Sequence, residues 1–267
     1  MTLVWFNGRI SRGGTVMLPA DNRGYSLGDG LFETMLLVNC EVADLDAHLA
    51  RMAASSAALG LPFSAMDART AVNELGAKAG AKPHALRLRL LRGEPSILMA
   101  TASAHDTTLI GQPARLITSS IRRNSQSIAS THKTLSYVDA MAAMRAAAEA
   151  KADGALMLNT QGFVASSPIA NLFLLKSDTL ITPGLEHGIL PGTTRARLLR
   201  EALSLGLRPV ECTVERDELF TADAVFLTNS LRLLTPVTEI DAHLTGARDC
   251  RFILDHLVPE QLKEYMP

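Results

Sequence analysis

The chain has 267 residues, of which 47% are hydrophobic and 20% charged, and its formal net charge is -1 at pH 7. This composition allows a substantial buried core and excludes a disordered chain. The 26 lysines and arginines are scattered along the sequence, so no basic face indicates a nucleic-acid-binding protein.

The cysteines and the N-terminal residues predict the compartment. Three cysteines, Cys40, Cys212 and Cys250, are far apart and odd in number, which is typical of a reducing compartment and of neither a disulfide framework nor a zinc cluster. The first residues lack the basic start and apolar run of a secretion signal, and no apolar run approaches the ~20 residues of a membrane span. We therefore expect a cytoplasmic protein without a membrane segment or a metal ion.

The chain opens with two predicted strands and a helix. Residues 3–6 predict a strand that ends in the turn sequence Asn-Gly, and residues 31–38 predict a second strand. Between 45 and 59, apolar residues recur at nearly helical spacing, which predicts a helix that carries His48 and Arg51.

The first half continues with further elements of both kinds. Residues 66–78 are rich in alanine and predict a helix. LRLRLL at 86–91 alternates strictly, which predicts a strand with one apolar and one basic face. Strand-rich sequence extends to about 120. The stretch 122–134 is polar and aperiodic, and it indicates a boundary between subdomains.

The second half begins with a predicted helix at 138–151. Short strands separated by turn residues follow at 155–159, 163–165, 171–176 and 180–183. A helix at 193–202, a strand at 224–228 and a helix at 247–256 complete the pattern. Mixed elements in both halves predict an α+β fold. We expect a smaller N-terminal α/β subdomain at 1–120, a loop at 121–132 and a larger C-terminal subdomain with a mixed sheet at 133–267.

Two segments have the composition of an anion site. GILPGTTR at 188–195 places Gly192, Thr193 and Thr194 where a loop becomes a helix, so backbone N–H groups and hydroxyls would converge at a positive helix end. FLTNS at 226–230 offers Thr228, Asn229 and Ser230 after a buried strand. The alternatives are a simple helix cap and a simple turn.

One lysine has an unusual setting. Lys133 lies in STHKTLSY, among apolar and hydroxyl residues in which an amine loses its charge easily and can form a Schiff base or carry a proton. Tyr137 would lie near Lys133 if a helix began there. The alternatives are an exposed lysine, a packing role for His132 and a half-buried helical tyrosine.

Several segments, taken together and in this order, resemble the class IV, fold-type IV pyridoxal 5′-phosphate (PLP) enzymes. The family includes branched-chain aminotransferases, D-amino-acid aminotransferases and aminodeoxychorismate lyases. The resemblance covers nearly the whole chain, and the segments are NRGYSLGDGLFET (22–34), HLARM (48–52), HKTLSY (132–137), ANLF (170–173), ITPGLEHGILPGTTR (181–195) and ADAVFLTNSLRLLTPV (222–237).

The resemblance implies a two-subdomain fold like that of D-amino-acid aminotransferases, a homodimer and specific residue roles. Lys133 would form the Schiff base with PLP and shuttle the substrate proton. The residues implied to hold the cofactor phosphate are Arg51, Gly192, Thr193, Thr194 and Ser230. Tyr137 would lie by the phenolic oxygen and Asn171 by the ring, and the substrate side would be shaped by Phe32, Glu33 and Thr34. Strand packing is the alternative for Glu33 and Thr34.

Position 166 departs from the family pattern. Five residues before the asparagine of NLF, the family has a glutamate that bonds to the pyridine nitrogen and keeps it protonated; this chain has Ser166. A hydroxyl supplies no such charge, which should penalise the proton shift of transamination more than an elimination. The departure favours a lyase, unless an acid such as Asp139 compensates.

Substrate preference rests on further positions. The Arg-x-His carboxylate trap of D-amino-acid aminotransferases is missing after Arg92-Gly93, whereas the length and TNSLRLLTPV resemble aminodeoxychorismate lyases, which release pyruvate and leave 4-aminobenzoate for folate synthesis. Arg87, Arg89 and Arg92 would meet a dicarboxylate, or else form a solvated strand face. The alternatives to a lyase are an aminotransferase for branched-chain or other amino acids and a non-catalytic PLP-binding homologue.

Overall fold

The computed structural model describes residues 2–13 and 15–266. Backbone packing divides the chain into two units. The first contains the residues up to Thr107, the segment His132–Ser136 and the residues from Pro259 onward; the second contains Thr108–Thr131 and Tyr137–Val258.

The first unit is a six-stranded antiparallel sheet, as far as the described residues go, with helices packed against it. In the order β2-β1-β6-β5-β3-β4, its strands are β1 (Leu3–Phe6), β2 (Arg9–Arg12), β3 (Gly30–Val38), β4 (Glu41–Val42), β5 (His84–Leu91) and β6 (Ile97–Ala104). Its helices are α1 (Arg23–Ser26), α2 (Leu45–Ala58) and α3 (Ala65–Ala79), with a 3-10 helix at Glu260–Tyr265.

Alternation along β5 determines which face of this sheet is the core. Leu86, Leu88 and Leu90 are buried in one cluster with apolar residues of α2 and α3. Arg87 and Arg89 point to the opposite face, because successive side chains of a strand alternate. The predicted apolar and basic faces of this strand are thus confirmed.

The segment His132–Ser136 pairs with the start of β3. The Phe32 N–H donates to the Lys133 carbonyl at 2.9 Å, and the Leu135 N–H donates to the Gly30 carbonyl at 2.9 Å. A side chain at Gly30 would collide with the Leu90 carbonyl and with Leu135, so only glycine permits this approach. Because of this pairing, the segment His132–Ser136 belongs to the first packing unit, whereas the predicted division placed 121–132 in a loop and 133–267 in the C-terminal subdomain; the N-terminal stretch of the first unit also ends at Thr107 and not at 120.

The second unit contains a nine-stranded mixed sheet within the described residues. Its strands are β7 (Ala114–Thr118), β8 (Gly154–Leu158), β9 (Val164–Ser166), β10 (Asn171–Lys176), β11 (Thr179–Pro183), β12 (Arg208–Cys212), β13 (Ala224–Asn229), β14 (Leu233–Ile240) and β15 (His243–Leu244). The order is β12-β11-β10-β13-β14-β7-β8-β9, with β15 paired to β14. The pairs β11–β12, β14–β7 and β7–β8 are parallel.

The helices of this unit are α4 (Ile128–Thr131), α5 (Val138–Glu149), α6 (Thr193–Glu201), α7 (Glu218–Thr221) and α8 (Arg251–Leu257). Short 3-10 helices lie at Leu185–His187 and Ala202–Leu205, and a third, Thr107–Leu109, lies where the first unit meets the second in the chain. The alanines of α5 at 140, 143 and 147 are buried, and the rings of Phe173 and Phe226 stack 5.4 Å apart across β10 and β13. The α+β prediction is confirmed.

The sequence missed two strands that contain proline. In β14, Pro236 lies just before the residues that pair with β7, so its missing N–H costs no bond on that side. In β12, Pro209 is tolerated because the strand is at the sheet edge. Helix α4 was also missed, and α8 begins four residues later than predicted, at Arg251 rather than at 247.

No helix in the described ranges is long and apolar enough to cross a bilayer.

Candidate active site

Lys133 lies in an extended, half-buried segment of the first unit. Its amine nitrogen is 4.3 Å from the centroid of the Phe32 ring, within range of a cation–π interaction. His132 Nδ1 is 3.0 Å from the Ser55 hydroxyl on α2. The helical relation that we expected between Lys133 and Tyr137 is absent because the helix starts only at Val138.

Four of the predicted substrate residues share one face of the first sheet. In the antiparallel register, Phe32 lies opposite Arg89 and Thr34 lies opposite Arg87. Arg89 donates to the Thr101 hydroxyl at 3.2 Å. Burial lowers the pKa of Arg89, and the charge of Arg87 lowers it further. Over the described residues neither guanidinium has a carboxylate partner, so this face attracts anions.

Arg92 does not join this face. Its Nε donates to Asp29 Oδ2 at 2.7 Å, and its other nitrogens donate to the carbonyls of Leu59 and Gly60 at 2.8 and 3.0 Å. A guanidinium placed at the C-terminal carbonyls of a helix stabilises that end. The structure therefore gives Arg92 a role at the end of α2, in place of the predicted substrate contact.

Glu33 also differs from its predicted place on the substrate side. It is on the core face of β3, with 1% of its surface exposed. His48 Nδ1 lies 2.8 Å from Glu33 Oε2, and Arg51 donates from Nε to Oε1 at 2.8 Å and from Nη2 to Oε2 at 2.5 Å. Burial by itself raises the pKa of Glu33, but the His48 hydrogen bond and the charge and hydrogen bonds of Arg51 outweigh it and lower the pKa to about 2.

Because of this ion pair, we expect the free energy of unfolding to fall in acid. A carboxyl group whose pKa falls on folding stabilises the fold above its unfolded pKa, here 4.5, and loses that contribution as the pH drops toward its folded pKa of about 2. The full contribution is roughly 3 kcal/mol. We expect the difference in unfolding free energy between wild type and Glu33→Gln, measured by urea titration, to narrow below about pH 4.5. A difference that stays constant down to about pH 3 would contradict the ionised pair.

In the second unit, the predicted anion segment forms the start of α6. Thr193 and Thr194 are its first two residues and are buried, and the Thr193 and Ser230 hydroxyls are 3.2 Å apart. The cap residue is Gly192, which supplies no side-chain acceptor. The two threonines are therefore inside the helix and do not act as its cap, which favours the anion interpretation.

Asn171 packs tightly against this helix start. Its Nδ2 donates to the Leu190 carbonyl at 2.9 Å, and its Oδ1 fills the space that a Cβ at Gly192 would need. Thr228 lies opposite Asn171 in the β10–β13 register. Its hydroxyl is buried and has no hydrogen-bond partner in the described structure, as is also true of Ser166. In the FLTNS segment the sequence offers the Thr228 hydroxyl for an anion site, with a simple turn as the alternative, and the structure places Thr228 opposite Asn171.

The segment after Ser166 is bordered by Tyr137 and Arg123. The Tyr137 hydroxyl donates to the Pro168 carbonyl at 3.0 Å, and Arg123 donates to the same carbonyl at 3.4 Å. Burial lowers the pKa of Arg123, while the charges of Tyr137 and Asp139 raise it. Asp139, the acid considered as a substitute for the missing glutamate, is exposed in the first turn of α5.

Comparison with known proteins identifies the family. The family model for amino-transferase class IV matches residues 30–240. The chain belongs to the class IV aminotransferases. D-alanine aminotransferase of Bacillus licheniformis is 28% identical over 257 residues, covering 91% of this chain and 90% of that protein. Aminodeoxychorismate lyase of Bacillus subtilis is 26% identical over 259 residues, covering 90% and 87%.

Solved class IV structures confirm the fold. A hypothetical aminotransferase from Mycobacterium tuberculosis, in its alpha-ketoglutarate and PMP bound form, has a TM-score of 0.89 at 26% identity, covering 96% of this chain and 97% of that one. Branched-chain aminotransferases are among the further relatives. The class IV fold and a PLP-dependent chemistry are thereby confirmed. Relatives with three different activities match this chain at similar sequence identity. Sequence identity therefore does not determine which of these reactions the protein catalyses.

The residues of this class IV chain fit PLP in each unit taken separately. The first unit supplies the Lys133 amine, the group that forms a Schiff base with a cofactor aldehyde, over the Phe32 ring. The second supplies a helix start without a side-chain cap, suited to a phosphate. Two buried hydroxyls there, of Ser166 and Thr228, lack hydrogen-bond partners in the described structure, and buried polar groups normally have one.

The space at Gly192 supplies a further prediction. The Gly192→Ala methyl group would displace the Asn171 side chain and break its bond to Leu190. We expect PLP affinity, measured by fluorescence titration, to fall about fivefold, since a lost hydrogen bond between neutral groups costs roughly 1 kcal/mol. Gly206→Ala is the control: its positive φ makes alanine costly for stability, but the space around it is open, so affinity should stay unchanged. Equal losses in both variants would refute the packing argument.

Proposed function

We propose that this class IV enzyme is a PLP-dependent lyase that converts 4-amino-4-deoxychorismate into 4-aminobenzoate and pyruvate. Ser166 is the observation that carries the proposal. Its hydroxyl is buried, with 3% exposure, and has no partner in the described residues, at the position where the family pattern has a glutamate. Without that carboxylate a protonated pyridine is not stabilised, and this penalises transamination more than elimination.

Lys133 is assigned the proton chemistry. PLP, when bound, withdraws electrons from the carbon that bears the substrate amine. The Lys133 amine would hold the cofactor and, once the substrate amine has replaced it, accept the proton of that carbon. The enolpyruvyl ether bond then breaks, its electron pair leaves with the oxygen, and the ring becomes aromatic. Returning the proton to the enol carbon completes pyruvate, so atoms and electrons balance.

Arg87 and Arg89 are assigned to substrate carboxylates. The substrate carries two carboxylates, and guanidinium groups without carboxylate partners are the side chains best suited to bind them. Both arginines lie on the face that also carries Phe32 and Thr34, and the Lys133 amine lies over the Phe32 ring. A substrate amine that replaced Lys133 would meet these charges on the same face.

The remaining family roles are part of the same proposal. The residues assigned to the cofactor phosphate are Arg51, Gly192, Thr193, Thr194 and Ser230, and those assigned to the cofactor ring are Tyr137, Ser166 and Asn171. We also propose a cytoplasmic homodimer that supplies 4-aminobenzoate for folate synthesis. Sedimentation equilibrium of the holoenzyme tests the dimer, since a mass of one chain would exclude it.

The reaction is tested by giving the PLP-loaded protein 4-amino-4-deoxychorismate in one assay and leucine with 2-oxoglutarate in another. Formation of 4-aminobenzoate and pyruvate in equal amounts supports the lyase. Formation of glutamate in the second assay alone overturns it in favour of an aminotransferase, the candidate that the names of several relatives favour. If PLP is bound but no product forms with any amino donor, the protein would be a non-catalytic homologue.

A further inference from the structure

The buried cluster of Glu33, His48 and Arg51 lies behind the face that carries the proposed substrate residues. Glu33 is in the middle of β3 and the other two residues are on α2, so their backbones are fixed by regular structure. Glu33 and His48 each expose 1% of their side chains and Arg51 exposes 11%. Side chains this enclosed have little freedom to reorient, because each is held by packing as well as by hydrogen bonds.

The hydrogen bonds determine the orientation of the Arg51 guanidinium. Two donors, Nε and Nη2, meet the two oxygens of Glu33, which is the paired geometry that fixes the guanidinium plane. Because Glu33 is ionised, the 2.8 Å contact with His48 requires the proton on Nδ1, with the imidazole donating to Oε2. His48 therefore holds the carboxylate, and the carboxylate holds the arginine.

We propose that Glu33, supported by His48, is a positioning residue that sets the Arg51 guanidinium for the phosphate of PLP. The inference rests on the proposed function, which assigns Arg51 to that phosphate. It replaces the substrate-side role that the sequence suggested for Glu33. The carboxylate acts through Arg51 and touches neither cofactor nor substrate.

Strand β3 connects this role to Lys133. Phe32 holds Lys133 through its backbone N–H and its ring, and the next residue, Glu33, holds Arg51. Adjacent residues of a strand point to opposite faces, so Phe32 and Glu33 act on opposite sides of β3. These two neighbouring residues therefore hold both cations that are proposed to bind the cofactor in the first unit, Lys133 and Arg51. A shift of β3 would disturb both cations together.

The test measures two quantities in the wild-type protein and in variants: the dissociation constant for PLP, and the ³¹P NMR signal of PLP bound in the holoenzyme. Glu33→Gln keeps the side-chain shape but replaces one acceptor with a donor facing Arg51. We expect its dissociation constant for PLP to rise about tenfold and the phosphorus signal to shift. Met35→Leu, fully buried on the same face of β3, is the matched control and should change neither. A Glu33→Gln protein with wild-type affinity and signal overturns the inference.

A double-mutant cycle distinguishes positioning from general stability. If Glu33 acts through Arg51, Glu33→Gln should add no loss of PLP affinity in an Arg51→Met background. Additive losses would show that Glu33 acts independently, which overturns the inference. Should Arg51→Met leave PLP affinity unchanged in a protein that binds PLP, the assignment of Arg51 fails, and the inference with it.

His48 supplies a second route if Glu33→Gln does not fold. His48→Asn can still donate an N–H to Glu33, whereas His48→Leu cannot. We expect the asparagine variant to keep affinity within about threefold of wild type and the leucine variant to lose about tenfold. Equal behaviour of the two variants overturns the role of His48. A wild-type protein that binds PLP but shows no lyase activity would instead overturn the proposed reaction and leave the positioning role intact.

Discussion

Lys133→Ala is expected to abolish turnover, with a loss of at least about a thousandfold in kcat, because no other group can replace a nucleophilic amine that also moves the substrate proton. The variant should also lose the absorbance band near the violet edge that a lysine-bound PLP gives. Borohydride reduction of the wild-type holoenzyme, followed by peptide mass spectrometry, should find the cofactor on Lys133.

Lys176→Ala is the control, because Lys176 is exposed at the end of β10 and has no proposed role. It should keep both the absorbance band and the activity. Cofactor attached to another lysine after reduction, or an alanine variant at 133 that retains activity, would remove the basis of the proposed enzyme class.

The role predicted for Lys133 rests on its sequence context. A single lysine in a polar segment is most often an exposed residue, and only the ordered set of matching segments distinguished it. The structure adds what the sequence lacked, namely that the segment pairs with β3 and that Gly30 makes the close approach possible. Such long-range strand pairing leaves no periodic signal within the segment itself.

Glu33 and Arg92 show the limits of assigning roles from sequence neighbours. Glu33 alternates with Phe32 and Thr34 and therefore points to the other face of β3, where α2 supplies His48 and Arg51. Arg92 follows two arginines of β5 but lies beyond the strand, where the carbonyls at the end of α2 attract it. Both outcomes depend on where a helix packs, which the strand sequence alone does not specify.

Ser166→Glu is expected to increase half-transamination, seen as conversion of bound PLP to its pyridoxamine form when an amino acid is added. A carboxylate at the pyridine nitrogen would keep the ring protonated and lower the barrier to the proton shift, by roughly 1.4 kcal/mol if the rate rises tenfold. Ser166→Gln has the same size without the charge and should show no increase.

A charge at position 166 needs a partner because the site is buried. Arg123 is the candidate: it is hydrogen-bonded to Pro168, two residues after Ser166, and its buried Nε has no partner in the described structure. We therefore expect Ser166→Glu to fold with Arg123 in place and to be strongly destabilised when combined with Arg123→Met. A folded Ser166→Glu enzyme that binds PLP yet gains no half-transamination would show that the missing carboxylate does not set the reaction, and the argument for elimination from Ser166 would fail.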